Sequence, residues 1–593
     1  MARLQEWIHN MEEGRGAKLV KLAGALLVFI TVALLYDLRA FKNFSSQEAM
    51  DAAQLARNIA DGKGYTTDFV RPFSLYLLKE HGKDPLTLLQ EDHPDLANAP
   101  VYPVVLAAWL KLMPVNYEIP GGKPFSVYFP ERWIAILNQL LLVVAALMVY
   151  ALGKRLFDRW VGLVAALLFV GTELFWRFSV SGLSTMLLMV IVLGVFRCLV
   201  ALDEGQRDKS ASSGRMASIA AMAGLLIGLA GLTRYSFIFL IVPALALVLM
   251  FAPAARAKVA WTMGLVFLLV VTPWIVRNYM VSGTPFGTAG YAVMELTPPF
   301  PEDSLQRSID PGVDFDRLTI NDFVRKLAIY TRAAVETQIP KMGGNWITAF
   351  FLAGVLMPFR NKTLSRMRLL LLGSLALFIL VQAWGRTQLS ETSPDLSSEN
   401  LLVILAPMVF IFGAGFFFVL LEQLDIPYLA LKQAIIALFG VIVCAPMILA
   451  ILPPKVHPYA YPPYFPPTIQ QIGRWMKEKE LTMSDIPWAV AWYGDRQCVW
   501  TTLNYDKDFY KINDDIKPVQ ALYLSPATMD NKLLFEIIRP IVKGEKPWGR
   551  FVFESLARGE VPPGFPLKQS RMDILPDHLF LTDWERWKVP AAN

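Results

Sequence analysis

Long apolar runs recur along the chain and alternate with shorter polar stretches. A helix that crosses the hydrocarbon core of a membrane needs about 20 apolar residues. The pattern therefore predicts a polytopic α-helical membrane protein with about 11 transmembrane helices. The predicted spans lie near residues 19–38, 132–153, 160–178, 182–202, 217–233, 235–252, 259–276, 345–359, 368–384, 400–421 and 431–453.

The polar stretches divide the chain into three predicted parts. Residues 1–453 form a transmembrane domain that carries one large loop, 39–131, after the first span. Residues 454–467 are rich in proline and aromatic residues, which favours an extended linker. Residues 468–593 predict a small soluble α/β domain. Its predicted strands are Trp488–Trp492, Cys498–Thr501 and Ala521–Leu524, and its predicted helices are Thr468–Glu480 and Lys532–Val542.

The basic residues between spans predict the orientation of the chain. Lysine and arginine accumulate on the cytoplasmic side of membrane proteins. Here they follow the second, fourth, sixth and eighth predicted spans, for example at Lys154, Arg207, Arg256 and Arg360. This alternation predicts a cytoplasmic N-terminus in the cell inner (plasma) membrane. The loops 39–131, 277–344 and 385–399 and the C-terminal domain then lie outside, and we expect the first span to be an anchor rather than a cleaved signal.

Composition narrows the class of protein further. Of 593 residues, 54% are hydrophobic and 18% charged, and the mean hydropathy is +0.41, which excludes an ordinary soluble protein. The net charge of +6 is explained by orientation and implies no nucleic-acid partner. Three cysteines and five histidines are scattered without ligand spacing, so we expect no cofactor, and no metal site is indicated. A metal ion that bridges a substrate phosphate and a carboxylate stays open as an alternative. Nucleotide-binding and hydrolase motifs are also missing from the sequence.

The loop 39–131 opens with the best candidate for chemistry. Ser45 and Ser46 suit a helix N-cap, and two glycines, at 62 and 64, suit its end. Within this helix, Glu48 and Asp51 are i,i+3 neighbours on one side. An acidic pair near a membrane surface suits proton transfer to or from a substrate. The alternative is an amphipathic surface helix with a solvated charged edge.

Several arginines lie where orientation alone does not favour them. The candidates for binding a substrate phosphate are Arg57, Arg71, Arg234, Arg277 and Arg386, with Tyr102 as a further substrate-binding residue. Guanidinium groups bind phosphate bidentately, so a lipid phosphate suits this set. The alternative is that these side chains extend to lipid headgroups or pair with nearby carboxylates. We also expect Asp495 and Arg496, in a turn of the C-terminal domain, to form a structural ion pair.

The stretch from Glu48 to Tyr65, EAMDAAQLARNIADGKGY, carries a resemblance to a known family. It follows a first span and opens a large loop, as in the class C (GT-C) membrane glycosyltransferases. The chain most resembles the group of protein O-mannosyltransferases and aminoarabinose transferases. Later stretches agree with this resemblance: Pro100–Pro103, Gly231–Arg234, Pro273–Asn278 and Asn400–Pro407.

The resemblance implies a GT-C fold and an activity. Family members transfer a sugar from a polyprenyl-phosphate donor to an acceptor at the outer face of the membrane, and the acceptor here is a lipid, glycan or protein. An acidic residue of the first outer loop acts as base or positions the acceptor. The usual aspartate falls on Glu48, with Asp51 as the substitute. A second acid of the family falls near Ser184 or Thr185, neither of which is acidic, and Glu173 is the candidate to compensate.

Two other functions stay open at this point. The first is a transporter or flippase for lipid-linked sugars, which charge along a path through both leaflets would favour. The second is a non-catalytic scaffold that keeps the fold and binds partners through its C-terminal domain. Charge confined to the outer side favours the transferase.

Overall fold

The protein is described by a computed structural model over residues 15–90, 92–119, 127–207, 212–251, 256–387, 396–424, 426–452, 463–529, 547–558, 561–571 and 574–588. Most of the predicted linker 454–467 and all of the predicted helix Lys532–Val542 lie outside these residues.

All eleven predicted spans fall on helical segments. The helices of this region are Arg15–Arg39, Phe129–Leu156, Arg159–Val170, Glu173–Val180, Thr185–Arg207, Ser213–Thr233, Ile241–Phe251, Arg256–Ser282, Trp346–Val355, Lys362–Trp384, Ala406–Gln423 and Leu429–Ile451. Short 3₁₀ turns at Tyr235–Leu240 and Leu401–Ile404 precede two of them. The apolar pattern therefore located the helices of the membrane region correctly.

Not every predicted span is long enough to cross a membrane alone. In the described part of the chain, seven helices are long and apolar enough, or eight if one bent pair is a single span. That pair, Arg159–Val170 and Glu173–Val180, bends by 55°, so the predicted span 160–178 is not one straight helix. The helices at Tyr235–Met250 and Trp346–Val355 are shorter than the roughly 20 residues that a crossing needs. The chain is a multi-pass membrane protein.

The long loops carry short helices of their own. The first loop has helices Gln47–Ala60, Pro72–Glu80 and Val101–Leu112, with a 3₁₀ turn at Pro85–Thr87. The second long loop has Ser304–Arg307, Gly312–Phe315, Ile320–Ala333 and Ile339–Lys341, with a 3₁₀ turn at Gly287–Val293 and a π turn at Ala334–Gln338. The C-terminal region has Pro466–Trp475, Pro487–Gly494, Lys507–Asp515, Pro526–Met529 and Trp548–Arg558, with a 3₁₀ turn at Arg586–Lys588.

A six-stranded sheet joins the first loop to the C-terminal region. Its strands are β1 Phe69–Val70, β2 Leu481–Ser484, β3 Cys498–Trp500, β4 Val519–Leu524, β5 Gln569–Arg571 and β6 Leu579–Thr582. The order is β1-β3-β2-β4-β6-β5. Strands β1, β3, β2 and β4 are parallel, and β6 is antiparallel to both of its neighbours, β4 and β5. Because β1 belongs to the first loop, the C-terminal sheet includes a strand from outside its own segment.

The strand predicted at Trp488–Trp492 is wrong, because these residues lie in the helix Pro487–Gly494. All eight residues of this helix are buried, so no polar face marks its period. A short apolar run fits a buried strand and a buried helix equally well. Pro487 at the first helical turn is the sequence signal that favours the helix, since proline is tolerated there.

Candidate active site

The helix Gln47–Ala60 supports the candidate acids. The Ser46 hydroxyl accepts a hydrogen bond from the Ala49 amide at 3.3 Å and caps the helix as predicted. Gly62 and Gly64 follow its end with φ angles of +84° and +77°, a region that glycine adopts without strain. The helix packs against Val101–Leu112 and Pro487–Gly494, and ten of its fourteen residues are buried. It is therefore a buried helix rather than the amphipathic surface helix of the alternative interpretation.

A cavity of about 250 Å³ lies beside this helix. Its walls come from both long loops, from the ends of several apolar helices and from strand β3. The lining includes four of the eight sequence-predicted site residues: Glu48, Arg71, Tyr102 and Arg234. The structure thus brings half of the predicted set into the lining of one cavity.

Glu48 and Arg234 face each other in the cavity. The Glu48 Oε1 and Arg234 Nη2 atoms lie 3.7 Å apart, and their side chains are 26% and 19% exposed. Arg234 ends the helix Ser213–Thr233, so its position follows from the helix end. The separation is longer than a hydrogen bond, and both groups stay accessible to a ligand. A carboxylate and a guanidinium so placed suit a substrate that offers a proton to one and an anion to the other.

Asp51 has a different environment. Its side chain is 2% exposed, its Oδ2 lies 2.6 Å from Arg71 Nη2, and it accepts a hydrogen bond from Asn98 Nδ2 at 3.0 Å. Burial raises the pKa of the Asp51 carboxyl, an effect that Arg71 partly opposes. Asp51 is not part of the cavity lining. It supports Arg71, which itself lines the cavity, from behind.

Arg57 lies away from the cavity, at the contact with the C-terminal region. Its Nη2 lies 2.8 Å from Asp495 Oδ2, and its guanidinium stacks 4.2 Å above the Tyr117 ring. The ion pair that the sequence predicted between Asp495 and Arg496 is therefore wrong, since Asp495 pairs with Arg57. Arg496 donates instead to the backbone oxygens of Met476 and Asp495, at 2.9 and 2.7 Å.

Arg277 and Arg386 also lie outside the lining. Arg277 donates to the Asp95 carbonyl oxygen at 2.8 Å and to Asn278 Oδ1 at 2.9 Å. Arg386 Nε lies 3.8 Å from Glu399 Oε2, next to the cavity wall. Tyr102 lines the cavity, but its hydroxyl donates to the Gly182 carbonyl at 2.7 Å. Each of these three side chains therefore has a partner within the protein.

Two further acids, which the sequence analysis did not select, also line the cavity. Glu399 accepts hydrogen bonds from the Thr387 amide at 3.0 Å and from its hydroxyl at 2.5 Å. Glu295 accepts from Gln306 Nε2 at 2.6 Å. Burial raises the pKa of both carboxyls, that of Glu295 to about 7. The available signal for Glu399 was its place directly before the family-like segment that begins at Asn400.

The place expected for a second family acid also lies in this cavity. Ser184 lines it, whereas Thr185 and Glu173 do not. Glu399 and Glu295 thus supply acidic groups where Ser184 has none, although they come from distant parts of the chain. Within the described ranges, no three His, Cys, Asp or Glu side chains are grouped as metal ligands.

Comparison with known proteins identifies the class of membrane fold. A family model described as dolichyl-phosphate-mannose-protein mannosyltransferase matches residues 125–276. The structure is similar to the Archaeoglobus fulgidus oligosaccharyltransferase in complex with Zn and sulfate, with 13% identity and a TM-score of 0.52. That match covers 84% of this chain and 67% of the other. A search of curated proteins found no match.

The structure is also similar to ArnT from Cupriavidus metallidurans bound to undecaprenyl phosphate. This match has 11% identity and a TM-score of 0.51, and covers 96% of this chain and 99% of the other. Both solved structures are GT-C glycosyltransferases. The chain therefore has the GT-C membrane fold, as the sequence resemblance implied.

Proposed function

We propose that the protein transfers a sugar from a polyprenyl-phosphate donor to an acceptor, with Glu48 as the base. The observation that carries this proposal is the placement of Glu48 opposite Arg234 in a cavity that Arg71 also lines. The undecaprenyl phosphate bound to ArnT supports a lipid-phosphate ligand for the same fold. The acceptor belongs to the class of lipids, glycans or proteins that carry a hydroxyl or amine.

Glu48 takes the proton from the acceptor hydroxyl or amine, and the acceptor atom forms a bond to the anomeric carbon. The bond from that carbon to the phosphate oxygen breaks, and its electron pair leaves with the polyprenyl phosphate. Arg234 and Arg71 stabilise the negative charge that develops on the phosphate. Attack opposite to the leaving group inverts the anomeric configuration, and this step needs no resident cofactor.

Glu48 is preferred over Asp51 as the base because a ligand in the cavity can reach Glu48. Glu48 lines the cavity, whereas Asp51 is buried behind Arg71 and already bonded to it. A general base must reach the proton that it removes within hydrogen-bond distance. Glu399 is the second acid of the proposed site, since it lines the same cavity and its raised pKa suits a group that holds a proton.

The proposed orientation places the cavity outside the cell inner membrane and the N-terminus in the cytoplasm. It is supported by the basic residues that follow alternate spans. Labelling single-cysteine variants in intact cells tests it: an impermeant reagent is expected to modify a cysteine at exposed position Glu80 and not one at Lys154. The reverse pattern would overturn the orientation.

The first test of the function is a transfer assay with purified protein in nanodiscs. A panel of undecaprenyl-phosphate pentoses and hexoses serves as donors, with lipid, glycan and peptide acceptors. We expect one donor to be consumed, and Glu48→Gln to reduce the rate by at least about 100-fold. Glu80→Gln, at the end of another helix of the same loop, is the matched control and should keep full activity.

The transfer assay distinguishes a glycosyltransferase from a flippase and from a non-catalytic scaffold. Transfer that survives in Glu48→Gln would remove Glu48 as the base. Movement of a labelled donor across the bilayer without transfer would indicate a flippase. Binding of the carrier with neither transfer nor movement would favour a scaffold. A transfer assay after chelator treatment tests the expectation of a metal-independent reaction.

A further inference from the structure

Two residues of the cavity lie at the ends of neighbouring strands of the shared sheet. Strands β1 and β3 are parallel, with Val70 opposite Val499. The next residues in the chain are Arg71, directly after β1, and Trp500, the last residue of β3, and both line the cavity. Neighbouring strands lie about 4.8 Å apart, so these two residues occupy adjacent positions along the cavity wall.

This edge of the sheet is where the parallel strands end. In α/β folds, ligands bind outside the carboxyl ends of parallel strands. The edge is also held in place, because Arg307 of the second long loop donates to the carbonyl oxygens of Thr501 and Thr502, at 2.7 and 2.9 Å. The C-terminal region therefore contributes a fixed wall to a cavity whose other walls belong to the membrane domain and its loops.

Trp500 packs against two aromatic rings and also lines the cavity. Its ring packs edge-to-face against Trp488 and Phe69, with centroid distances of 5.4 and 5.9 Å. The neighbouring Trp488 uses its indole N–H to donate to the Tyr464 hydroxyl at 3.1 Å. The Trp500 indole N–H has no such bond among the residues that the structure describes, although Trp500 is almost fully buried. This N–H group is not fully enclosed by the described residues, so it stays accessible to a ligand.

We propose that Trp500 contacts the sugar of the lipid-linked donor while Arg71 contacts its phosphate. This inference rests on the proposed function, since it assigns parts of the donor to two walls of the same cavity. The sugar is bonded directly to the phosphate, so a side chain next to a phosphate-binding guanidinium is within reach of the sugar. The indole ring packs on the apolar C–H face of the sugar, and its free N–H donates to a sugar hydroxyl. Trp500 is thus a residue that determines donor specificity.

Direct binding measurements test this assignment without any need for transfer. Binding of undecaprenyl phosphate and of undecaprenyl-phosphate pentoses and hexoses is measured on full-length protein in nanodiscs. We expect the wild type to bind at least one sugar-bearing carrier about tenfold more tightly than the bare carrier. Trp500→Leu should lose this preference and keep its affinity for bare undecaprenyl phosphate. Trp500→Phe should keep part of the preference, because the ring face remains.

Trp488 provides the matched control. It is equally buried in the same aromatic cluster, yet it does not line the cavity. Trp488→Leu should lower the thermal unfolding midpoint as Trp500→Leu does, but preserve the preference for the sugar-bearing carrier. Arg71→Gln should weaken binding of both carriers.

The inference is overturned if the wild type binds no sugar-bearing carrier more tightly than the bare one, or if Trp500→Leu keeps the preference. It is also overturned if Trp500→Leu and Trp488→Leu lose the preference equally. Loss of the preference in Trp500→Leu alone, in a protein that transfers no sugar, would sustain the sugar contact and refute the proposed transfer.

Discussion

Arg71 Nη2 lies 2.6 Å from Asp51 Oδ2, and both side chains are buried beside the cavity. The contact joins the loop helix Gln47–Ala60 to the residue that follows strand β1. Arg71 also stacks on the Phe69 ring, 4.1 Å from its centroid. A guanidinium held on two sides in this way is oriented before any phosphate arrives, which limits the entropy lost on binding.

The two partners of this contact are expected to differ in what their removal costs. Asp51→Asn leaves a buried guanidinium that cannot lose its proton, whereas Arg71→Gln leaves a carboxyl that can take one up. Removing one partner of a buried ion pair costs roughly 3–5 kcal/mol. We expect Asp51→Asn to lower the unfolding midpoint in detergent more than Arg71→Gln does.

The double variant Asp51→Asn, Arg71→Gln is the control for this pair. It leaves no unpaired charge, so we expect it to be more stable than Asp51→Asn alone. Strict additivity of the two single effects would contradict the coupling.

Substitutions of Arg57 and of Arg234 are expected to have different effects on stability and on carrier binding, although both residues were predicted to bind phosphate. Arg57 pairs with Asp495 of the C-terminal region, whereas Arg234 lines the cavity. Arg57→Gln should therefore lower the unfolding midpoint and leave the affinity for undecaprenyl phosphate unchanged. Arg234→Gln should weaken that affinity about tenfold or more, since a charge-assisted contact is worth roughly 1.5–3 kcal/mol. Equal affinities for the two variants would refute this division of roles.

The raised pKa of the Glu295 carboxyl should make the free energy of unfolding depend on pH. Burial raises its pKa from the usual 4.5 to about 7, so between these values the folded protein holds a proton that the unfolded chain releases. The contribution of Glu295 to the free energy of unfolding therefore falls as the pH rises from 4.5 to 7, and stays constant above. At pH 8, Glu295→Gln should be more stable than the wild type by up to about 3 kcal/mol.

Unfolding midpoints measured between pH 4.5 and 8 check this expectation. The glutamine still accepts the hydrogen bond from Gln306, so the two proteins should be of similar stability at pH 4.5. If the unfolding midpoint of Glu295→Gln differed from that of the wild type by the same amount at every pH, titration of Glu295 would be ruled out as the cause.

Gly224 allows two membrane helices to approach closely. A Cβ atom at this position would lie 2.2 Å from the Met263 carbonyl oxygen of the helix Arg256–Ser282. Small residues serve this purpose at helix contacts in membranes. Gly224→Ala should cost about 1–3 kcal/mol through overpacking.

Gly264 is the matched control, because nothing lies within 4 Å of a Cβ atom built there. Gly264→Ala should be neutral or raise the unfolding midpoint, as alanine favours helices over glycine by about 1 kcal/mol. Similar destabilisation by both alanines would show that the close approach at Gly224 is not the cause.

The membrane helices and the first loop helix were predictable because their signals are local. An apolar run of adequate length fixes a membrane helix, and Ser46 with the two following glycines fixes the ends of Gln47–Ala60. The same local reasoning failed at Pro487–Gly494. Every residue of this helix is buried, so its sequence does not show the helical alternation of apolar and polar positions. It also failed for Asp495, whose partner Arg57 is 438 residues away in the chain.

By itself, the sequence determined that this is a multi-pass membrane protein and that Glu48 and several arginines are candidates for chemistry. Only the tertiary structure decided which of them share a cavity. It placed Glu48, Arg71 and Arg234 together, moved Arg57 to an interface, and added Glu295, Glu399 and Trp500. The physical reason is that hydropathy and helix caps depend on neighbouring residues, whereas a cavity depends on contacts between segments far apart in the chain.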